Sequence, residues 1–185
     1  MNLLQRYAPQ YQFSETHHVA VQAAAATVLD AVAAYRPNND RLIGLFMALR
    51  ELPARTAGAM GFRTRLKAKP RFGFDDFLPL GREGDREIAF GLIGRFWEPG
   101  YGLIRVDHAD AFAAHCEPGV AKLVIHFGVE PDAAGLRLTT VTRVHCADAA
   151  TRRRFTPYWL LIRPVSGWIR RRMLASIKAA AESWG

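Results

Sequence analysis

Cysteine is scarce in this chain, since only Cys116 and Cys146 occur among its 185 residues. They form no CxxC pair, and no group of cysteines and histidines has the spacing of a zinc site. The sequence therefore predicts free thiols, a reducing compartment and no metal. A disulfide between the two cysteines is the alternative. Histidine does not alter this, because consecutive His17 and His18 would lie on opposite faces of a strand.

Long apolar runs are also lacking. No stretch approaches the roughly 18 consecutive apolar residues that a membrane span needs, and the N-terminal stretch MNLLQRYAPQYQF has no apolar core of the signal-peptide kind. We therefore expect a cytoplasmic location. The nucleophile motif GxSxG, the phosphate loop GxxxxGKS/T and a strand-bound GxGxxG are missing as well, so no catalytic residue and no cofactor is predicted.

Acidic residues are outnumbered, because 17 Asp and Glu face 25 Lys and Arg, which gives a formal net charge of +8. Such a charge favours acidic partners such as anionic lipid, acidic small molecules or nucleic acid. No zinc-finger or RNA-recognition motif is present, so nucleic acid is not an expected partner, even for the basic segment 54–71. The length and the 50% hydrophobic content fit one globular domain spanning 1–185.

The most regular pattern lies at the C-terminal end, from Ala149 to Trp184. Advancing about 100° per residue, the step of an α-helix, brings the larger apolar side chains onto one stripe. These residues are Phe155, Trp159, Ile162, Ile169, Met173, Ile177 and Ala180. Asp148 is the predicted N-cap of this helix, and Pro164, with Gly167 close to it, predicts a kink or a break.

The opposite face of the predicted helix is basic. Its charged residues are Arg153, Arg154, Arg171, Arg172 and Lys178. Leu160, Leu161 and Trp168 project from the stripe towards these charges. A solvated helix surface is the plain interpretation. The alternatives are contact with an anionic membrane surface, or a homodimer through the same apolar patch.

Upstream of this helix, alternating apolar residues predict strands and 3.6-residue periods predict further helices. The expected strands lie within Tyr11–Gln22, Phe74–Leu80, Glu87–Trp97, Gly102–Val106, Ala121–Glu130 and Leu136–Cys146. The expected helices are Ala23–Tyr35, Arg41–Glu51 and the short Asp110–His115. Residues 81–85 are interpreted as a hairpin connection. This order of elements indicates an α+β fold, in which an antiparallel sheet packs against the long C-terminal helix.

The last two strands can be paired from their charges. Placing Glu130 opposite Arg137 brings opposite charges together and fixes the register. One face of the hairpin then carries Leu123, Ile125, Phe127, Val129, Leu138, Thr140, Thr142 and Val144. Ile88, Phe90, Leu92 and Phe96 of the preceding strand are assigned to the same face. This face is the predicted partner of the helical stripe, whereas Arg143 is placed on the other face with a surface role.

Three stretches, REIAFGLIGRFW from Arg86, LTTVTRV from Leu138 and RRRFTPYWLLIRPVSGWIRR from Arg152, occur in this order of elements. Together they resemble the START-like (SRPBCC) superfamily, and more narrowly a bacterial branch near polyketide cyclase/dehydrase-like proteins. The resemblance covers nearly the whole chain. It implies a helix-grip fold, in which a curved antiparallel sheet wraps around the C-terminal helix, with two short helices after the first strand and a hydrophobic cavity. The motifs carry no catalytic role, so no functional residue is transferred.

The first functional hypothesis is binding or carrying of a small hydrophobic or amphipathic molecule between the sheet and the helix. The predicted ligand-binding residues are Phe90, Leu92, Phe127, Thr140, Thr142, Phe155, Trp159 and Ile162. The two threonines are the only polar side chains placed there. They orient a polar group of the ligand, bond locally to the backbone, or occur there simply because threonine suits a strand.

The second hypothesis is an enzyme, a cyclase or dehydratase acting on a polyketide-like substrate. The observation that would favour it is a buried titratable side chain with a perturbed pKa in the cavity, and the sequence points to none. The family resemblance does not choose between a carrier and an enzyme, because one fold hosts many functions.

Overall fold

The computed structural model describes residues 2–36, 76–98, 100–133 and 135–184. Their elements, in chain order, are α1 (Leu3–Tyr7), β1 (Phe13–Val21), α2 (Ala25–Ala34), β2 (Leu78–Glu83), β3 (Glu87–Gly94), α3 (Ala109–Ala114), β4 (Ala121–Asp132), β5 (Gly135–Cys146) and α4 (Ala149–Trp184). The five strands form one antiparallel sheet in the order β1-β5-β4-β3-β2. The predicted α+β class is confirmed, whereas the predicted helix Arg41–Glu51 and the basic segment 54–71 lie outside the described residues.

The hairpin of β4 and β5 has the register that the charges predicted. Glu130 faces Arg137, Phe127 faces Thr140 and Leu123 faces Val144. On the other side of β5, β1 adds an edge strand. The alternating pattern was sufficient here because a slip of one residue would turn every buried side chain of the hairpin to the opposite face.

The predicted hairpin of β2 with β3 is formed. Its predicted connection, 81–85, begins too early, because β2 bulges between Pro79 and Gly81 and continues to Glu83. The predicted strand Gly102–Val106 is reduced to a single bridge between Ile104 and Ile93. Before it, β3 ends at Gly94 and the chain turns through Tyr101, whose φ is 60°. These turns depend on tertiary contacts, which the periodicity of the sequence does not reveal.

Helices cover both faces of the sheet. α4 packs on β1 and β5, and α2 packs on β4 and α4, so we name this side the α4 face. α1 packs against β2, β3 and β4 on the opposite side, and α3 packs against α1 and β2. That opposite side is the α1 face. Its core contains Leu4, Tyr7, Ile93, Phe112 and Val124.

α4 runs unbroken from Ala149 to Trp184 through Pro157 and Pro164, so the predicted break is not formed. Its start is capped as predicted, because Asp148 accepts hydrogen bonds from the backbone N–H of Thr151, at 2.8 Å, and from its hydroxyl. These bonds lower the pKa of Asp148 to about 2. Among the described residues, no helix combines the length and apolar composition needed to cross a membrane.

Candidate functional site

The predicted ligand-binding residues divide between two apolar clusters on the α4 face. The α2 cluster contains Phe90 and Phe127, which meet edge-to-face with ring centroids 6.3 Å apart, together with Met173 and other residues of α2 and α4. The aromatic cluster contains Leu92, Phe155 and Trp159, and it lies under the first part of α4. Ile162 is half-buried and belongs to neither cluster. The ligand-binding role of these residues remains a prediction.

On β5 and β1, polar side chains lie between the two clusters, whereas Phe77 and Leu123 pack against both clusters. On β5, Leu138 belongs to the α2 cluster and Val144 to the aromatic cluster, so Thr140 and Thr142 lie between them. The same order holds on β1, where Val19 packs against the α2 cluster and Phe13 against the aromatic cluster. The β1 residues between these two that share their face are Glu15 and His17.

The four polar side chains on the sheet are direct neighbours. Glu15 is paired with Thr142 and His17 with Thr140 across the β1–β5 ladder. His17 Nε2 lies 2.8 Å from Oε1 of Glu15. Their side chains are only 17% and 9% exposed, respectively. With Arg170 of α4, described below, these residues form what we name the polar layer.

Gly167 lets α4 approach the polar layer closely. A Cβ atom at this position would lie 2.7 Å from Oε1 of Glu15 and 3.4 Å from Cε1 of His17. Any side chain other than hydrogen would therefore displace the Glu15 carboxyl group. The sequence predicted Gly167 only as a weak point of the helix, whereas its position in the structure is that of a close contact between helix and strand.

Arg170 lies one turn beyond Gly167, on the side of α4 that faces the sheet. One of its guanidinium nitrogens is 3.9 Å from the sulfur of Met173. Although part of the residue stays accessible, burial lowers the pKa of Arg170 to about 10, and the charges of Glu15 and Tyr35 oppose that shift. The guanidinium keeps its positive charge at neutral pH, so the polar layer contains an acid, a cation and an imidazole.

Thr140 contributes a buried hydroxyl group to the polar layer. Thr140 is 1% exposed, and within the described part of the chain its Oγ1 has no hydrogen-bond partner. A local bond of this hydroxyl to the backbone is not formed within the described ranges, which leaves the ligand role and the simple preference of threonine for strands. A buried hydroxyl without a partner is rare and costs about 1–3 kcal/mol.

The sequence contained a signal for the polar layer that went unused. Glu15 and His17 alternate in step with Val19, and this alternation places all three on one face. Arg170 lies one turn before Met173 of the predicted stripe, which is the spacing of residues on one helix face. The contact of Gly167 with β1 had no such signal, since it joins distant parts of the chain.

Other predicted features lie away from this layer. Arg143 is on the α1 face as predicted, where its guanidinium donates to the Ala8 carbonyl at 2.9 Å and stacks over Tyr11. Cys116 is an exposed free thiol and Cys146 a buried one. In the described ranges no three His, Cys, Asp or Glu side chains are grouped to hold a metal ion.

Chemically, the polar layer offers hydrogen-bond donors and acceptors inside an otherwise apolar face. Thr140 and Thr142 can donate or accept, His17 can do either through its ring nitrogens, and Arg170 donates only. Such a small set of polar groups within apolar walls is typical of sites for small organic molecules. No protein-family model, curated protein or solved structure matches this chain.

Proposed function

We propose that the protein binds a small amphipathic molecule between the sheet and α4, in the manner of a carrier. The observation that supports this most strongly is the buried Thr140 hydroxyl without a partner, which lies in a polar layer between two apolar clusters. The apolar part of the molecule would contact Phe90, Leu92 and Trp159, among the predicted residues, and its polar part would reach Thr140. The START-like resemblance and its helix-grip fold imply a ligand at the same place.

The polar part of this molecule is a neutral hydroxyl or carbonyl group. The polar layer already holds the guanidinium of Arg170 and the acid of Glu15. A further charge would be left without a counter-ion in a poorly hydrated place, which is costly. A neutral group, in contrast, needs only one hydrogen bond, and Thr140 can donate or accept it.

Matched ligands test this proposal. We expect an alcohol and a ketone to bind more tightly than the alkane of equal length, by one hydrogen bond worth about 0.5–1.5 kcal/mol, or roughly 2- to 13-fold in affinity. Titrations followed by tryptophan fluorescence would measure this difference. In the Thr140→Val variant the difference should vanish, whereas in Thr139→Val, on the α1 face of the same strand, it should persist.

Two results would contradict the proposal. One is that no member of the panel binds to the wild-type protein. The other is that the alcohol keeps its advantage in Thr140→Val. We also propose a cytoplasmic location, supported by the free thiols of Cys116 and Cys146, and fractionation of the producing cells would check it.

A cyclase or dehydratase is a second candidate, favoured by the close contact of an imidazole and a carboxyl group in the polar layer. His17 and Glu15 are 2.8 Å apart and largely buried, an arrangement in which the acid orients an imidazole that can move protons. Incubating the protein with a polyketide-like β-ketone would test it. We expect turnover that His17→Gln removes while binding persists; a wild-type protein that binds without turnover would leave only the carrier.

Contact with an anionic membrane surface is a third candidate, favoured by Leu160 and Leu161, which are 63% and 73% exposed and adjacent on α4. Exposed arginines Arg153, Arg154 and Arg171 share this helix face. Vesicles of phosphatidylglycerol should sediment the protein more than vesicles of phosphatidylcholine, and the double change of both leucines to Gln should weaken this. Equal sedimentation with both lipids would refute membrane contact. If the wild-type protein instead forms a dimer at high concentration and the double variant stays monomeric, the patch is assigned to a homodimer.

A further inference from the structure

A cleft of about 310 Å³ lies on the α1 face, away from the polar layer. It is bounded by α1, by the chain that leaves α3, and by the ends of β4 and β5. Its charged or titratable lining residues are Arg6, Tyr7, His115, Cys116, Glu117, Lys122 and His145. This volume is at the lower end of the range for small-molecule sites. The sheet separates it from the site proposed above.

Lys122 brings a cation without a counter-ion into this cleft. Its ammonium group donates to the backbone carbonyls of Ala113, at 2.9 Å, and His115, at 3.2 Å, which fix its position at the end of α3. Within the described ranges no carboxylate lies within ion-pair distance of it. Burial lowers the pKa of Lys122, whose ammonium group also lies 5.0 Å from the centroid of the Phe112 ring. An anion in the cleft would supply the missing charge.

Two imidazoles in the same cleft have unused nitrogens. His145 is the cross-strand partner of Lys122 on the same face of the sheet. Its Nδ1 and the Nε2 of His115 are both buried, and neither has a hydrogen-bond partner in the described part of the chain. Oε2 of Glu117 lies 3.9 Å from Nε2 of His115, which is too far for a hydrogen bond. Buried ring nitrogens of this kind normally have partners.

The mouth of the cleft is also basic. Arg6 is 53% exposed, and its contact with Asp110 is long, at 3.8 Å. Such a loose surface pair contributes little and leaves the guanidinium available to another anion. The net charge of +8 adds a general attraction for anions around the whole molecule.

We propose that this cleft is a second binding site, for a small molecule that carries a carboxylate or a phosphate group. The oxyanion would contact the Lys122 ammonium and receive hydrogen bonds from His115 and His145, with Arg6 closing over it at the mouth. Charge-assisted bonds of this kind are the strong ones in anion recognition. The site is independent of the carrier proposal, because its residues lie on the other face of the sheet.

Imidazole NMR of the wild-type protein tests this proposal without any substitution. Inorganic phosphate and succinate, titrated separately at constant ionic strength, should each be followed through the ring-nitrogen signals. We expect saturable changes at His115 and His145 from at least one of the two anions, with a dissociation constant below about 1 mM, and no change at His17. The tighter anion identifies the natural source as a phosphate ester or an organic acid. No saturation with either anion would overturn the proposal.

Matched lysine variants separate a built site from general attraction. Lys122→Gln should weaken binding of the tighter anion at least 10-fold. Lys178→Gln is the control, since Lys178 also donates to a backbone carbonyl, that of Ala20 at 2.8 Å, but lies on α4. Equal losses in both variants, or no loss in Lys122→Gln, would overturn the proposal. If Lys122→Gln does not fold, Arg6→Gln at the exposed mouth replaces it, with a loss of several-fold expected and an unchanged affinity contradicting the site.

Discussion

Replacing Thr140 by valine should stabilise the ligand-free protein. The change keeps the shape of a side chain that is 1% exposed and removes a hydroxyl without a hydrogen-bond partner. An unpaired buried hydroxyl costs about 1–3 kcal/mol, and a methyl group in its place makes no such demand. We take the lower part of this range. The free energy of unfolding should therefore rise by about 1–2 kcal/mol, which for a chain of this size raises the melting temperature by roughly 2–8 °C.

Urea unfolding of delipidated protein, followed by tryptophan fluorescence, would measure this gain. Thr139→Val is the control, because Thr139 is half-buried on the α1 face and its substitution should change stability by less than about 0.5 kcal/mol. A loss of more than about 1 kcal/mol in Thr140→Val would refute the reasoning, since it would mean that the hydroxyl makes a hydrogen bond that stabilises the fold. Stabilisation with loss of ligand binding would instead show that this polar group is retained for function.

Two further predictions concern the α1 face. Gly91→Ala should destabilise the protein by about 1–3 kcal/mol through overpacking, because the new Cβ would lie 2.6 Å from a ring carbon of the fully buried Phe112. Thermal melts would measure this loss. Gly100→Ala is the control and should be neutral, because there is open space around Gly100. The protein should also lose stability on acidification below about pH 6.5. Burial lowers the pKa of His126 in the folded protein, although Glu87, 2.6 Å away, opposes this shift. As the pH falls, the unfolded chain therefore takes up a proton before the folded protein does. Stability is lost between the ordinary pKa of histidine and the lower folded-state pKa. Urea midpoints that are equal at neutral pH and at about pH 5 would contradict this expectation.

Local rules predicted the sheet well where pairing and burial agree. The register of β4 with β5 followed from one charge pair and an alternating apolar pattern. The same rules failed at Gly81 and Tyr101, where the chain bulges or turns with a positive φ. Periodicity describes regular segments, and it contains no information on where tertiary contacts interrupt them.

The candidate site was predictable only in part. Thr140 was placed on the α4 face correctly, because its strand has a clear alternation. Glu15 and His17 were missed although their strand alternates too, since polar residues on a short edge strand resemble a solvated face. What makes them a site is the close approach of Gly167 and the position of Arg170, and both depend on how α4 crosses β1.

Native mass spectrometry of freshly purified protein tests the central claim most directly, with extraction of whatever is bound. We predict a co-purifying molecule with an apolar body and a neutral hydroxyl or carbonyl group, present in the wild-type protein and in Thr139→Val and depleted in Thr140→Val. A protein that is free of ligand in all three preparations, and that takes up none of the panel of alkane, alcohol and ketone, would contradict the claim that the polar layer binds an amphipathic molecule.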